Sequence, residues 1–183
     1  MNIGVFLGAA DGNKEIFRES AYELGKWIAE NGHTLVYGGS KKGIMGVIAD
    51  AVLENGGEVI GVLVNYQMLQ GRKHTDLTQY IETDTLTERR LILIDIADAY
   101  IALPGGPGTL DEITEIISLA RLDENDKPCV LYDVDHFYQP LKMMFEKMLE
   151  TDFATPEYFR YLLYSDDLEE IAKYITAYDE KVK

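Results

Sequence analysis

The sequence predicts an α/β fold in which a parallel sheet is covered by helices on both faces. Two observations carry this. Short apolar runs alternate with longer stretches of helical periodicity along the whole chain, which is the pattern of βαβ units. The runs are also apolar at successive positions, as in Ile3 to Leu7 and Ala99 to Leu103, and strands buried on both faces read that way.

Taken in order, Ile3 to Leu7 is the first strand, stopped by Gly8-Ala9-Ala10-Asp11-Gly12. A helix is predicted from Lys14 to Asn31, with Phe17, Tyr22, Leu24, Trp27 and Ile28 on its apolar side and Asn31-Gly32 as its stop signal. His33 to Tyr37 forms the second strand and Ile44 to Glu54 the next helix, with Glu58 to Val64 as a third strand. The polar stretch Asn65 to Thr78 is the longest loop and a candidate lid, followed by a short strand at Gln79 to Glu82. Thr85 to Ala97 reads as a helix, Ala99 to Leu103 as a strand and Thr109 to Leu122 as a helix. Pro128 to Tyr132 is a strand, Phe137 to Thr151 a helix, and the tail adds Tyr161 to Tyr164 and a helix from Asp166 to Tyr178. Right-handed crossovers join these into a Rossmann-like, doubly wound sheet. With no repeat or linker in view, residues 1–183 are read as one nucleotide-binding domain.

The chain carries 32 acidic against 17 basic residues, a formal charge of −15. Nucleic acids and anionic membranes select basic surfaces, so neither is an expected partner. A phosphorylated ligand would need positive potential made locally, by backbone N–H groups and chosen arginines. The lone cysteine, Cys129, excludes an internal disulfide and fits a reducing compartment. Met1-Asn2-Ile3-Gly4 opens directly into strand-like sequence without a signal-peptide pattern, and no apolar run reaches transmembrane length. A cytoplasmic protein is expected.

In doubly wound sheets, ligands bind beyond the carboxyl ends of the strands. Three glycine-bearing turns fall there: Gly8 to Gly12, Gly38 to Gly46 and Gly105 to Gly108. Each lets a ligand approach the backbone and faces it with a helix N-terminus, so three together point to a phosphate. Neither main nucleotide fingerprint is present. No G-x-x-x-x-G-K-[ST] occurs, and the first turn is not G-x-G-x-x-G. His33, His74 and His136 lack metal-ligand spacing. No metal or cofactor is expected.

Two segments carry candidate chemistry. Thr85-Leu86-Thr87-Glu88-Arg89-Arg90 opens a helix on which Arg89 shares a face with Ile92, Leu93 and Ile96. A guanidinium on an apolar stripe needs an anionic partner, either a substrate or a neighbouring carboxylate. The continuing run Leu91 to Ala97 is apolar nearly all round, so it has a second surface to cover, plausibly on a second subunit. The other segment is Pro104-Gly105-Gly106-Pro107-Gly108-Thr109-Leu110-Asp111-Glu112. Thr109 is placed to cap the helix and offer its hydroxyl to a phosphate. Glu112 sits one turn in, near the mouth of the pocket. Both Thr85-x-x-Glu88 and Thr109-x-x-Glu112 have the spacing of a capping box. Spacing alone leaves Glu112 open between helix cap and catalyst.

The pair T-E-R-R and P-G-G-P-G-T-L-D-E resembles the signature of the LONELY GUY family of cytokinin-activating phosphoribohydrolases, long labelled possible lysine decarboxylases. Its pattern is M-H-E-R-K followed by P-G-G-x-G-T-x-x-E. The turn Tyr37 to Gly46 is similar to the family's Y-G-G-G-x-x-G-L-M-G, and the resemblance runs from Ile3 to about Tyr132. Leu86-Thr87 stands where the pattern has Met-His, Arg90 where it has Lys, and Ser40 where it has Gly. The resemblance implies hydrolysis of the N-glycosidic bond of a nucleoside 5′-monophosphate, with Arg89 and Glu112 as the catalytic pair. It implies phosphate binding by Gly105, Gly106, Gly108 and Thr109, helped by Arg90. Gly8, Gly39, Ser40, Gly43 and Met45 would border the nucleotide, and a homodimer is implied. Two other readings stay open. One is a non-catalytic carrier like the molybdenum-cofactor carrier proteins. The other is the decarboxylase, which would need a pyridoxal phosphate lysine; Lys41 and Lys42 are the lysines in the key turns.

Overall fold

The computed structural model describes residues 1–66, 71–122 and 125–182. Seven parallel strands form one sheet in the order β4-β3-β2-β1-β5-β6-β7. They are β1 Asn2–Phe6, β2 Thr34–Tyr37, β3 Glu58–Val64, β4 Gln79–Thr83, β5 Ala99–Ala102, β6 Cys129–Tyr132 and β7 Leu162–Ser165. The helices are α1 Ile16–Glu30, α2 Gly43–Glu54, α3 Leu86–Ile96, α4 Pro107–Ala120, α5 Gln139–Glu150 and α6 Leu168–Val182.

The handedness of the crossovers decides which helix covers which face. The chain winds outward from β1 to β4, then returns to place β5 on the other side of β1 and winds outward again to β7. The helices that connect strands in the two halves therefore lie on opposite faces, and the C-terminal α6, which connects no strands, packs on the face of α1 and α2. On one, Leu24 and Ile28 of α1, Ile48 and Val52 of α2 and Ile171 and Ile175 of α6 pack on the sheet. On the other, Leu93 of α3 and Ile113, Ile116 and Ile117 of α4 pack against Phe6, Val62 and Tyr100. Strand residues alternate between these cores: Ile3 and Val5 point to the first, Phe6 to the second. This is the doubly wound architecture predicted from the sequence.

Three features position or border the site. The connection from β3 to β4 shows no α-helix among its described residues, and residues 67–70 of the expected lid lie outside them. Its second half is tied down: Ser40 and Lys73 form an antiparallel bridge, and the His74 N–H donates to Gly39 O at 3.0 Å. Helix α4 begins at Pro107, two residues before Thr109. Proline preorganises the first turn and gives up an N–H that would have no helical partner there, so Gly106, not Thr109, is the N-cap. Finally, of the α3 residues only Leu93 is buried, while Leu86 and Leu91 are 51% and 60% exposed. The second apolar surface expected of this helix faces outward in the single chain.

Candidate active site

The turns after β1, β2 and β5 meet at the carboxyl edge of the sheet, because these three strands are neighbours in the order β2-β1-β5. The winding direction reverses between β1 and β5, which is where open α/β sheets bind ligands. Two joined cavities occupy the place. One, of about 370 Å³, is bordered by Gly38, Ser40, Met45, Leu63 and Arg89. The other, of about 510 Å³, is bordered by Gly8, Phe17, Ile44, Gly105, Gly106 and Phe137. Ala9 and Arg72 border both. Each volume is in the range of small-molecule sites.

Helix α3 delivers Arg89 to the first cavity. The start of α3 is fixed by its N-cap Thr85 and by Glu88, which reaches back one residue beyond the N-cap. Glu88 N–H donates to Thr85 Oγ1 at 3.1 Å, and Glu88 Oε2 accepts from the Asp84 N–H at 3.0 Å. One residue on, the guanidinium of Arg89 is held at two points: Nε donates to Val62 O at 2.9 Å and Nη1 to Glu112 Oε1 at 2.9 Å. The two side chains are only 15% and 13% exposed. Among the described residues, the second Glu112 oxygen takes no hydrogen bond. Burial pushes the Glu112 carboxyl above the usual glutamate range, and the Arg89 guanidinium draws it back only in part.

The start of α4 at Pro107 removes the helix-cap reading that spacing allowed for Glu112. Thr109 is the third helical residue and Glu112 the sixth, too far in to reach the N-cap, so no capping box forms here. Glu112 instead ion-pairs with Arg89 across the gap between α3 and α4. It touches Arg89, which borders the first cavity, and does not itself border either one. Thr109 is 5% exposed, tucked beneath Gly105, where a Cβ would come within 2.2 Å of its hydroxyl oxygen and 3.0 Å of Gly8 N. A Cβ on Gly106 or Gly108 would meet open space. This turn thus presents bare backbone at the N-terminal, positive end of α4.

The turn after β2 packs just as closely. Gly39 has φ +72°, and a Cβ there would strike Leu63. Ser40 turns its hydroxyl back to accept from the Lys42 N–H at 3.1 Å, while still bordering the first cavity. Gly43, at φ +59°, lies so near the first turn that a Cβ would be 2.5 Å from Ala10 N and Ala9 C. These are backbone atoms and cannot step aside. Gly43→Ala is expected to destabilise the protein by about 2 kcal/mol or more, from left-handed strain plus overpacking, read as a lower denaturant midpoint at unchanged slope.

Arg90 is not brought into the cavities. Successive helical residues point to different faces, and Arg90 pairs instead with Asp111 and Glu115 of α4. Lys41 and Lys42 also do not border the cleft; the lysine that does is Lys73, paired with Glu82 at 2.8 Å and stacked over Tyr80. Sequence reasoning passed over Gly38, Arg72 and the aromatic pair Phe17 and Phe137. Gly38 was visible as part of a glycine turn. The others come from a loop and from distant elements, and no spacing marks them. Among the described residues no group of three metal-ligating side chains converges, and no helix is long and apolar enough to cross a membrane.

A family model described as "possible lysine decarboxylase" matches residues 45–175. A probable cytokinin riboside 5′-monophosphate phosphoribohydrolase of Arabidopsis thaliana is 37% identical over 155 residues, covering 85% of this chain and 77% of the relative. The cytokinin riboside 5′-monophosphate phosphoribohydrolase of Rhodococcoides fascians is 33% identical over 169 residues, covering 92% and 85%. The chain belongs to the LONELY GUY family. Solved structures share the fold of this LONELY GUY chain. The molybdenum cofactor carrier protein of Chlamydomonas reinhardtii superposes with a TM-score of 0.74 at 25% identity, covering 98% of both chains. The molybdenum cofactor binding protein of Rippkaea orientalis does so at 0.71 with 23% identity, covering 96% and 95%. Of the departures from the LONELY GUY pattern, Ser40 and Leu86 reach the cleft, both bordering the first cavity.

Proposed function

We propose that this chain hydrolyses the N-glycosidic bond of a nucleoside 5′-monophosphate, AMP or a cytokinin riboside 5′-monophosphate, giving the free base and ribose 5-phosphate. The observation that carries the reading is the Arg89–Glu112 pair, largely buried beside a cleft that ends on the N-terminus of α4. The named activity of the relatives from Arabidopsis thaliana and Rhodococcoides fascians supports it. The 5′-phosphate takes the amides of the Gly105 to Thr109 turn, which sets the ribose toward Arg89 and Glu112. As the bond from C1′ to the base breaks, positive charge grows on the ribose, and a fixed carboxylate nearby favours that state over the ground state. Glu112 supplies the charge and orients the attacking water. The water's hydroxyl ends on C1′ and its proton on the base nitrogen. Arg89, anchored to Val62 O, fixes the carboxylate in position.

Glu112 works in this scheme as a carboxylate, so protonating it removes the effect. Because burial raises its pKa above 4.5, activity is lost as pH falls through that raised value. The acid limb of kcat/KM is expected above the range of an exposed glutamate. A limb that stays at or below pH 4.5 in a pH-rate profile would assign it to another group.

The turnover test is chromatography of AMP and of N6-isopentenyladenosine monophosphate incubated with purified protein. Free base and ribose 5-phosphate are expected. Intact nucleotides together with tight, unprocessed binding of molybdenum cofactor would favour a carrier, the reading suggested by the likeness to the Chlamydomonas reinhardtii protein. The exposed Leu86, Leu91 and Leu110 on α3 and α4 support a homodimer formed over that face, checked by the molar mass in light scattering.

A further inference from the structure

A chain with a net charge of −15 must hold a phosphate against its own field, and backbone amides carry only part of a charge. Two arginines border the cavities, Arg72 and Arg89, and of the others nearby Arg18 pairs with Asp11 and Arg90 with Asp111 and Glu115, while Arg89 is committed to Glu112. Arg72 is the exception. Among the described residues its guanidinium makes no ion pair and no side-chain hydrogen bond. It also borders both cavities, the one against the α4 turn and the one that holds Arg89.

The backbone that carries this side chain is fixed. Lys41 N–H donates to Arg72 O at 2.8 Å, Lys73 bridges to Ser40, and the His74 N–H donates to Gly39 O. His74 is in turn 5% exposed, with Nε2 2.9 Å from Asp50 Oδ1, and its carbonyl accepts from the Tyr80 hydroxyl at 2.6 Å. An uncommitted cation on a tethered backbone, at the junction of the two cavities, is arranged for an anion arriving between them. We propose that Arg72 binds the 5′-phosphate of the substrate, completing the site begun by the α4 turn and setting the preference for nucleotides over nucleosides. The proposal rests on the phosphoribohydrolase reading for the identity of the phosphate, and concerns binding rather than bond cleavage.

Calorimetric titration of ribose 5-phosphate tests it without turnover. Arg72→Ala is expected to weaken binding by about 10- to 100-fold, the loss of a charge-assisted hydrogen bond, with Arg72→Lys recovering part of it. In kinetics, Arg72→Ala should raise KM for AMP by a similar factor with kcat within about threefold. Because Arg72 is exposed, the variant should melt with the wild type. Unchanged ribose 5-phosphate affinity in Arg72→Ala, or absence of binding by the wild type, would each overturn the assignment. A wild type that binds ribose 5-phosphate through Arg72 yet leaves AMP intact would sink the hydrolase reading and keep this one.

Discussion

Replacing Glu112 with glutamine is expected to lower kcat for AMP by about 10²- to 10⁴-fold while the protein stays folded. Glutamine has the shape of glutamate, and its amide oxygen still accepts from Arg89 Nη1, which now reaches Oε1 at 2.9 Å. What disappears is the negative charge. The stability readout separates this from a structural role. The folded state raises the Glu112 pKa above 4.5, so ionisation costs stability as pH rises from the unfolded value through the folded one, and the cost is constant above both. Glutamine mimics the protonated form. The variant should therefore melt at or above the wild-type temperature at neutral pH, and the difference should vanish once pH falls below 4.5. A melt well below wild type, with activity reduced in proportion to folded protein, would make Glu112 a strut between α3 and α4.

How much of this was legible in the sequence follows from how local each signal is. The strands announced themselves because burial on both faces leaves continuous apolar runs such as Ile3 to Phe6. Thr85 capped its helix as the spacing suggested, with Glu88 reaching the Asp84 N–H instead of that of Thr85, since such caps are made within one turn of chain. Thr109 and Glu112 share that spacing and form none, because Pro107 started the helix earlier. The partner of Glu112 lies 23 positions away on another helix, and only the resemblance to a family linked the two. Arg90 shows the opposite failure: it stands beside Arg89 in the motif and is turned away from the cleft by the helical twist, toward Asp111 and Glu115. Arg72 lies in an irregular stretch between β3 and β4, where neither periodicity nor turn chemistry singles out a position. Its location depends on contacts to Gly39 and Lys41 that only the fold brings near.

Gly38→Ala is the second change expected to have a large effect, and it should reach activity through side chains alone. A Cβ at Gly38 would lie 2.2 Å from Arg89 Nη2 and 2.4 Å from Met45 Cε. Both atoms are the free ends of long side chains, so the backbone of the turn need not move, unlike at Gly43, where the obstruction is backbone. Stability should fall by what Arg89 gives up, about 1.5–3 kcal/mol for one hydrogen bond to a charged group, with no further cost from the backbone. Arg89 must swing away, and in doing so gives up Val62 O, Glu112 Oε1 or both. Losing one hydrogen bond from a charged group is worth about 1.5–3 kcal/mol, which corresponds to a fall of roughly 10- to 100-fold in kcat/KM for AMP. The route through Arg89 is tested by combining the two substitutions. If Gly38 matters because it leaves room for the guanidinium that positions Glu112, the defect it causes should largely disappear in a Glu112→Gln background, where there is no carboxylate charge left to misplace. Additive losses in that cycle would mean that Gly38 serves the substrate directly, as a stretch of bare backbone facing the first cavity.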